Sequence, residues 1–116
     1  MYCIFCEIIA QREPATVHYE DDDIIVITNH LRWVPVMLLA LPRQHMTQEE
    51  LWSNEIFGRI IRVALDLGTH LCPQGFRFVS NFGEDAMQSQ EHGHLHVLGG
   101  TLLGRYLSTG FMPPFW

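Results

Sequence analysis

Residues 92–98 read His-Gly-His-Leu-His-Val-Leu, and no other stretch of the chain restricts its fold so tightly. Histidine alternating with a small or apolar residue is the pattern of an extended strand, whose successive side chains leave on opposite faces. On such a strand His92, His94 and His96 share one face, with about 6.7 Å between successive positions. Leu95 and Val97 point the other way, into a core. A row of histidines facing outward over an apolar layer is more than solubility requires; it builds a polar site on a rigid element. Gly99-Gly100 closes the strand.

The rest of the chain reads as the frame for that strand. Residues 3–10 (CIFCEIIA) suit a short helix. Ile24 to Thr28 (IIVIT) is a continuous β-branched run after the acidic turn Asp21-Asp22-Asp23, as a strand buried on both faces requires. Val36 to Leu41 is a second apolar run, ended by Pro42, and Asn29 to Pro35 connects the two. Thr47-x-x-Glu50 reads as a capping box. Trp52, Ile56, Ile60, Ala64, Leu67 and Leu71 follow at intervals of three or four, which predicts one long amphipathic helix ending near Cys72-Pro73. Phe76 to Ser80 alternates as a strand, Asn81 to Gln90 is a polar loop, and residues 101–116 form an irregular, aromatic-rich tail. The expectation is an α+β fold, with an antiparallel sheet, one long helix and a short N-terminal helix, in one domain over residues 1–116.

Three imidazoles in a row can share protons near neutrality and carry partial positive charge. One can supply a nucleophilic nitrogen for phosphoryl or nucleotidyl transfer while its neighbours hold phosphate oxygens. Two or three of them could instead ligate a metal. His18, His30 and His70 lie outside any motif and read as surface or hydrogen-bonded core residues.

Composition narrows the partners. The net charge is −6, with no basic cluster, which argues against binding nucleic acid polymers, since that rests on Lys and Arg displacing counterions. No apolar run reaches the roughly 18 residues that span a bilayer. The N-terminal MYCIFCEIIAQRE lacks a basic region and is interrupted by Glu7, making a poor secretory signal, so a cytoplasmic location is expected. Cys3, Cys6 and Cys72 are an odd number of thiols and do not suggest a disulfide framework. Cys3-x-x-Cys6 is a metal or redox spacing, and Cys72 reads as packing.

The His-φ-His-φ-His-φ-φ motif resembles that of the histidine-triad (HIT) superfamily. The resemblance covers roughly residues 3–100 and includes Cys3-Ile4-Phe5-Cys6-Glu7-Ile8-Ile9, Leu41-Pro42-Arg43-Gln44-His45 and Asn81-x-Gly83-x-x-x-x-Gln88-Ser89. His96-Val97-Leu98-Gly99-Gly100 is similar to the Hint branch of purine nucleoside phosphoramidases. The resemblance implies a HIT-like fold and a nucleotide hydrolase or transferase working at the α-phosphate. His94 would attack phosphorus to form a nucleotidyl-histidine, and water would release the nucleoside monophosphate. His96 would contact phosphate oxygens, His92 would help orient the site, and Ser89 would hydrogen-bond the leaving group or a phosphate oxygen. Asn29, Asn81 and Gln88 would complete the nucleotide site, with no cofactor required for the chemistry. Cys3, Cys6, His45 and His92 match a zinc set of bacterial relatives, and four protein ligands would make that zinc structural. The resemblance also implies a homodimer, with Trp116 a candidate to reach the partner's site.

Some positions depart from the family pattern. Asn29 stands where an acidic residue usually binds ribose, Met87 where glycine is common, and Gln90-Glu91 where an apolar pair is usual. Dinucleoside polyphosphate hydrolysis, a nucleotide-binding protein with decayed catalysis, and a three-histidine metalloenzyme are the competing readings.

Overall fold

The computed structural model describes residues 2–105. Its elements run α1 (Ile4–Ile9), β1 (Val17–Glu20), β2 (Ile24–Thr28), β3 (Val36–Pro42), α2 (Gln48–Trp52), α3 (Ile56–Leu71), β4 (Phe76–Val79) and β5 (Leu95–Gly99). A short 3-10 turn at Glu84–Ala86 interrupts the loop before β5. The strands form one five-stranded antiparallel sheet in the order β1-β2-β3-β5-β4, giving the expected α+β architecture. Among the described residues no helix is long and apolar enough to cross a membrane. The expectations for residues 106–116, including Trp116, lie outside the described residues.

Strand alternation divides the core between the two faces of the sheet. Ile24, Val26, Leu38, Ala40, Leu95 and Val97 pack against Phe57, Ile60 and Ala64 of α3 and Leu51 of α2. On the opposite face Ile25, Ile27, Leu39 and Leu41 are covered by Phe5 of α1, with Ile4, Ile8 and Ile9 around it. The six-residue α1 is too short to be stable alone and depends on this packing. Full burial of each such aliphatic or aromatic side chain contributes roughly 1.5–3 kcal/mol.

Two elements away from the histidine strand depart from expectation. The long helix is broken into α2 and α3 at Ser53-Asn54-Glu55. Ser53 Oγ donates to the Glu49 carbonyl at 3.0 Å, and Asn54 Oδ1 accepts from the Ile56 amide at 3.0 Å. These short polar side chains satisfy backbone groups locally, and so they end one helix and start the next. The stripe shifts accordingly: Phe57, Ile60, Ala64 and Gly68 are buried, while Trp52 and Leu71 are exposed. The second departure is β1, whose residues Val-His-Tyr-Glu are all exposed and carry no alternating pattern. It exists because β2 offers an edge, and its turn is built by Asp21, whose Oδ1 accepts from the Asp23 and Ile24 amides, both at 2.8 Å. Arg59 of α3 reaches Asp21 and Asp23 and ties that turn to the helix.

Candidate active site and metal centre

The histidine strand is shorter than its sequence pattern. β5 begins at Leu95; His92 makes only an isolated bridge with Thr47, and His94 lies one residue before the ladder with β3 begins. Nor do the imidazoles face water. His96 sits in a cross-strand row with Ile27, Leu39 and Val79, on the face that α1 covers. Phe5 packs edge-on to His92 at 5.7 Å and to His94 at 5.3 Å between ring centres, and the His94 and His96 rings lie 5.0 Å apart. His92 and His94 are buried, His96 partly so. The outward-facing row expected from alternation is therefore corrected: the sheet has two apolar faces, and the triad occupies the one that the N-terminal helix shields.

Hydrogen bonds give two of the rings, His92 and His94, distinct roles. A carbonyl can only accept, so the nitrogen facing it carries the proton. His92 Nε2 donates to the Pro42 carbonyl at 2.8 Å, leaving Nδ1 with a lone pair. His94 Nδ1 donates to the His92 carbonyl at 2.8 Å, leaving Nε2 unprotonated. Nothing among the described residues hydrogen-bonds that Nε2. Burial holds both rings below the usual histidine range, partly offset by these carbonyl bonds. Burial, with the neighbouring His94, takes His96 down to about 4. Near pH 7 the row is thus neutral: it offers lone pairs and hydrogen bonds, where partial positive charge was expected.

The polypeptide around His94 is held from several sides. The Gly93 amide donates to the Met46 carbonyl at 2.7 Å, and a Cβ at Gly93 would fall 2.9 Å from both Leu51 Cβ and the Thr47 carbonyl. Glycine is required there because the start of α2 crosses the histidine segment. The His94 amide donates to Gln48 Oε1 at 2.9 Å, and Ser80 Oγ donates to the His94 carbonyl at 3.3 Å. Gln48 is wholly buried. Sequence reasoning passed over it, and over Phe5. The available signal for Gln48 was its place just inside a capping box.

The loop before β5 brings other expected residues alongside. Ser89 is exposed and lines a cleft with Thr47, Glu49, Gln88, Gln90 and Glu91. Gln88 is occupied by its own loop: Oε1 accepts from the Gly83 amide and Nε2 donates to the Gln90 carbonyl. Met87 adopts φ 60°, the left-handed conformation that explains why glycine suits this position. The Asn81 carbonyl accepts from Gln48 Nε2 at 3.2 Å. Asn29 follows β2, and its Oδ1 accepts from the Leu31 amide at 3.2 Å. His18 and His30 are exposed, as is His70 on α3; His18 bonds Thr28 Oγ1. Cys72 is buried at the end of α3, and Gly99 backs directly onto its sulfur.

Beside the triad, Cys3, Cys6, His45 and His92 bring one ligand atom each to within 4.8 Å of one another. His92 Nδ1 lies 3.5 Å from Cys3 Sγ and 3.6 Å from Cys6 Sγ, and Cys6 Sγ lies 3.3 Å from His45 Nδ1. A tetrahedron with zinc–sulfur bonds of about 2.3 Å and zinc–nitrogen bonds of about 2.0–2.1 Å has edges of roughly 3.3–3.8 Å, so the donors fit a zinc ion. Cys3 caps α1 and Cys6 lies one turn on, which makes the Cys-x-x-Cys spacing a property of the helix start. Outer partners orient the imidazoles: the Pro42 carbonyl holds His92, and Glu91 lies 3.7 Å from His45 Nε2. Burial and Cys3 push the Cys6 thiol up to about 11. Among the described residues the donor atoms that gather are those of Cys3, Cys6, His45 and His92, and neither His94 nor His96 is in that group.

The fold and site together define an α+β protein that carries a histidine triad on an antiparallel sheet, next to a Cys2His2 metal-binding set. A HIT domain family model matches residues 10–102, and the chain belongs to that family. It is 35% identical over 111 residues to an uncharacterized HIT-like protein of Chlamydia muridarum, covering 90% of this chain and 86% of that one. It is 34% identical over 103 residues to a 14 kDa zinc-binding protein of Brassica juncea, covering 84% and 91%. Among solved structures, a HIT family hydrolase from Clostridium thermocellum is similar with a TM-score of 0.82 and 32% identity, over 91% of this chain and 96% of that one.

Proposed function

We propose that this chain is a nucleotide hydrolase or transferase of the phosphoramidase type, acting at the α-phosphate of purine nucleotides through a nucleotidyl-histidine. One observation carries the reading: the carbonyl of His92 fixes the proton of His94 on Nδ1 and leaves Nε2 as a neutral nucleophile. Nε2 attacks phosphorus, the bond to the leaving amine breaks, and the Ser89 hydroxyl passes a proton to the departing amine while taking one from solvent. Water then attacks the same phosphorus and loses a proton to solvent, the bond to Nε2 breaks with its electron pair returning to Nε2, and nucleoside monophosphate leaves. His96, neutral at working pH, hydrogen-bonds the phosphate oxygens, and His92 holds the tautomer of His94. Asn81 and Gln88 shape the phosphate loop, while Asn29 bonds the ribose hydroxyls. Splitting one displacement into two gives each step a positioned partner.

Cys3, Cys6, His45 and His92 hold zinc, as the name of the Brassica relative supports. Bound there, zinc supplies cross-linking of α1 to the sheet, with no coordination position left open for substrate. The protein works in the cytoplasm as a homodimer. The place of β4 at the end of the sheet among the described residues and the exposed Ile61 and Leu65 on α3 support pairing of two copies; sedimentation at micromolar concentration should give twice the monomer mass.

The deciding experiment is AMP release from adenosine 5′-phosphoramidate. The wild-type chain should release AMP, the His94→Ala variant should not, and brief exposure to chelator should leave the rate intact. Binding of AMP without turnover would mean a re-targeted or decayed site, with Asn29, Met87 and Glu91 the positions to restore first.

A further inference from the structure

We propose that Gln48 is a positioning residue for the His94 nucleophile, substituting for the strand neighbour that His94 lacks. This rests on the reading of His94 given above. The ladder between β3 and β5 ends at the Ala40–Leu95 pair, so the amide and carbonyl of His94 lie beyond it. Both are instead satisfied by side chains: the amide by Gln48 Oε1 at 2.9 Å, and the carbonyl by Ser80 Oγ at 3.3 Å. Of the two, the Gln48 bond is the shorter and the more deeply buried.

The amide of Gln48 has no freedom to turn. Oε1 meets an N–H donor in His94, and Nε2 meets a carbonyl acceptor in Asn81 at 3.2 Å. Reversing it would oppose donor to donor and acceptor to acceptor. The side chain is also wholly buried, and an amide is costly to bury unless its hydrogen bonds are made. A residue that only filled space here would be apolar. Its base is equally fixed. Gln48 is the first residue of α2, directly after Thr47. The capping box and the bridge to His92 lock Thr47, and Met46 accepts from the Gly93 amide. Gln48 therefore spans from the start of α2 to the nucleophile on one side and to the proposed phosphate loop on the other. It sets the separation of His94 from Asn81, the distance that an in-line displacement depends on.

The test uses Gln48→Met, which keeps the volume and removes the amide, and Gln48→Glu. Three quantities are read in the full-length protein: kcat and KM for adenosine 5′-phosphoramidate, the melting temperature, and hydrogen exchange at the His94 amide. Gln48→Met should lower kcat on the order of 10²-fold, as misplacement by about 1 Å does. KM should change by no more than about threefold, and the His94 amide should exchange at the rate of an unpaired loop amide. In Gln48→Glu the protonated carboxyl can accept from His94 and donate to Asn81, whereas the ionised form opposes the Asn81 carbonyl. Its rate relative to wild type should therefore recover as pH is lowered through the carboxyl's titration, while the ratio for Gln48→Met stays flat. A folded Gln48→Met protein with wild-type kcat and a protected His94 amide would overturn the proposal, leaving Gln48 a structural residue alone. If Gln48→Met does not fold, the pH recovery of Gln48→Glu decides, and its absence overturns the proposal. If the wild-type chain releases no AMP, the catalytic reading of His94 fails separately. Amide exchange alone then decides whether Gln48 holds the residue.

Discussion

Burial draws the His96 imidazole from 6.5 to about 4, and that has a consequence for stability as well as for charge. Between those values the unfolded chain binds a proton at this residue that the folded chain does not, so stability rises with pH across the window and is complete above it. At 1.36 kcal/mol per pH unit, the loss between pH 7 and pH 4 is bounded at about 3 kcal/mol. Urea unfolding of wild type and His96→Leu at a series of pH values should show the wild-type slope flattened in the variant; parallel slopes would locate the dependence elsewhere. Gly93 makes the second prediction at this scale. In Gly93→Ala the new methyl meets Leu51 Cβ and the Thr47 carbonyl, the latter part of a backbone that cannot swing aside. Overpacking of this kind costs about 1–3 kcal/mol, which calorimetry should register as a lower melting temperature.

Helix α2 is only five residues long, yet it anchors the histidine segment through Met46, Thr47 and Gln48. Its capping box is complete: Thr47 Oγ1 accepts from the Glu50 amide at 3.1 Å, and Glu50 Oε1 accepts from the Thr47 amide at 2.8 Å. Thr47→Ala should cost about 1 kcal/mol of unfolding free energy by denaturant titration. The His92 and His94 amides should gain exchange along with α2, because these segments share the anchor. An exchange change confined to residues 47–50 would mean that the two are independent.

At the scale of the molecule, the metal set joins three distant pieces of chain. Cys3 and Cys6 come from α1, His45 from the turn after β3, and His92 from the segment before β5. Metal binding therefore clamps α1, and with it Phe5, over His92 and His94. Zinc bound to the folded chain at 1,000 times its Kd stabilises by about 4 kcal/mol. Chelator should lower the melting temperature of wild type to that of Cys3→Ser, and metal analysis should find one zinc per wild-type chain and less in the variant. Equal melting temperatures with and without chelator would show that apolar packing alone seats α1.

What could be read without a structure was whatever depends on neighbours in sequence. The β-branched run at Ile24–Thr28, the short helix after Cys3 and the capping box at Thr47 each express a local steric or hydrogen-bonding preference, and these elements stand where their patterns put them, whereas of the period-two histidines only His96 lies within the strand. The Cys-x-x-Cys spacing was legible for the same reason, since donor types and a helix turn are local facts, whereas His45 and His92 were joined to it only through the family resemblance. Contacts between segments far apart decided the rest. Ser53 and Asn54 split a stripe that runs through them in sequence. β1 has no pattern of its own and forms on the edge of β2. The triad turned inward because α1 closes over it, a packing outcome that alternation by itself does not encode. Likewise the proton positions on His92 and His94 follow from which carbonyls lie opposite, those of Pro42 and His92, and the burial that keeps the three imidazoles neutral exists only once the sheet and α1 have met.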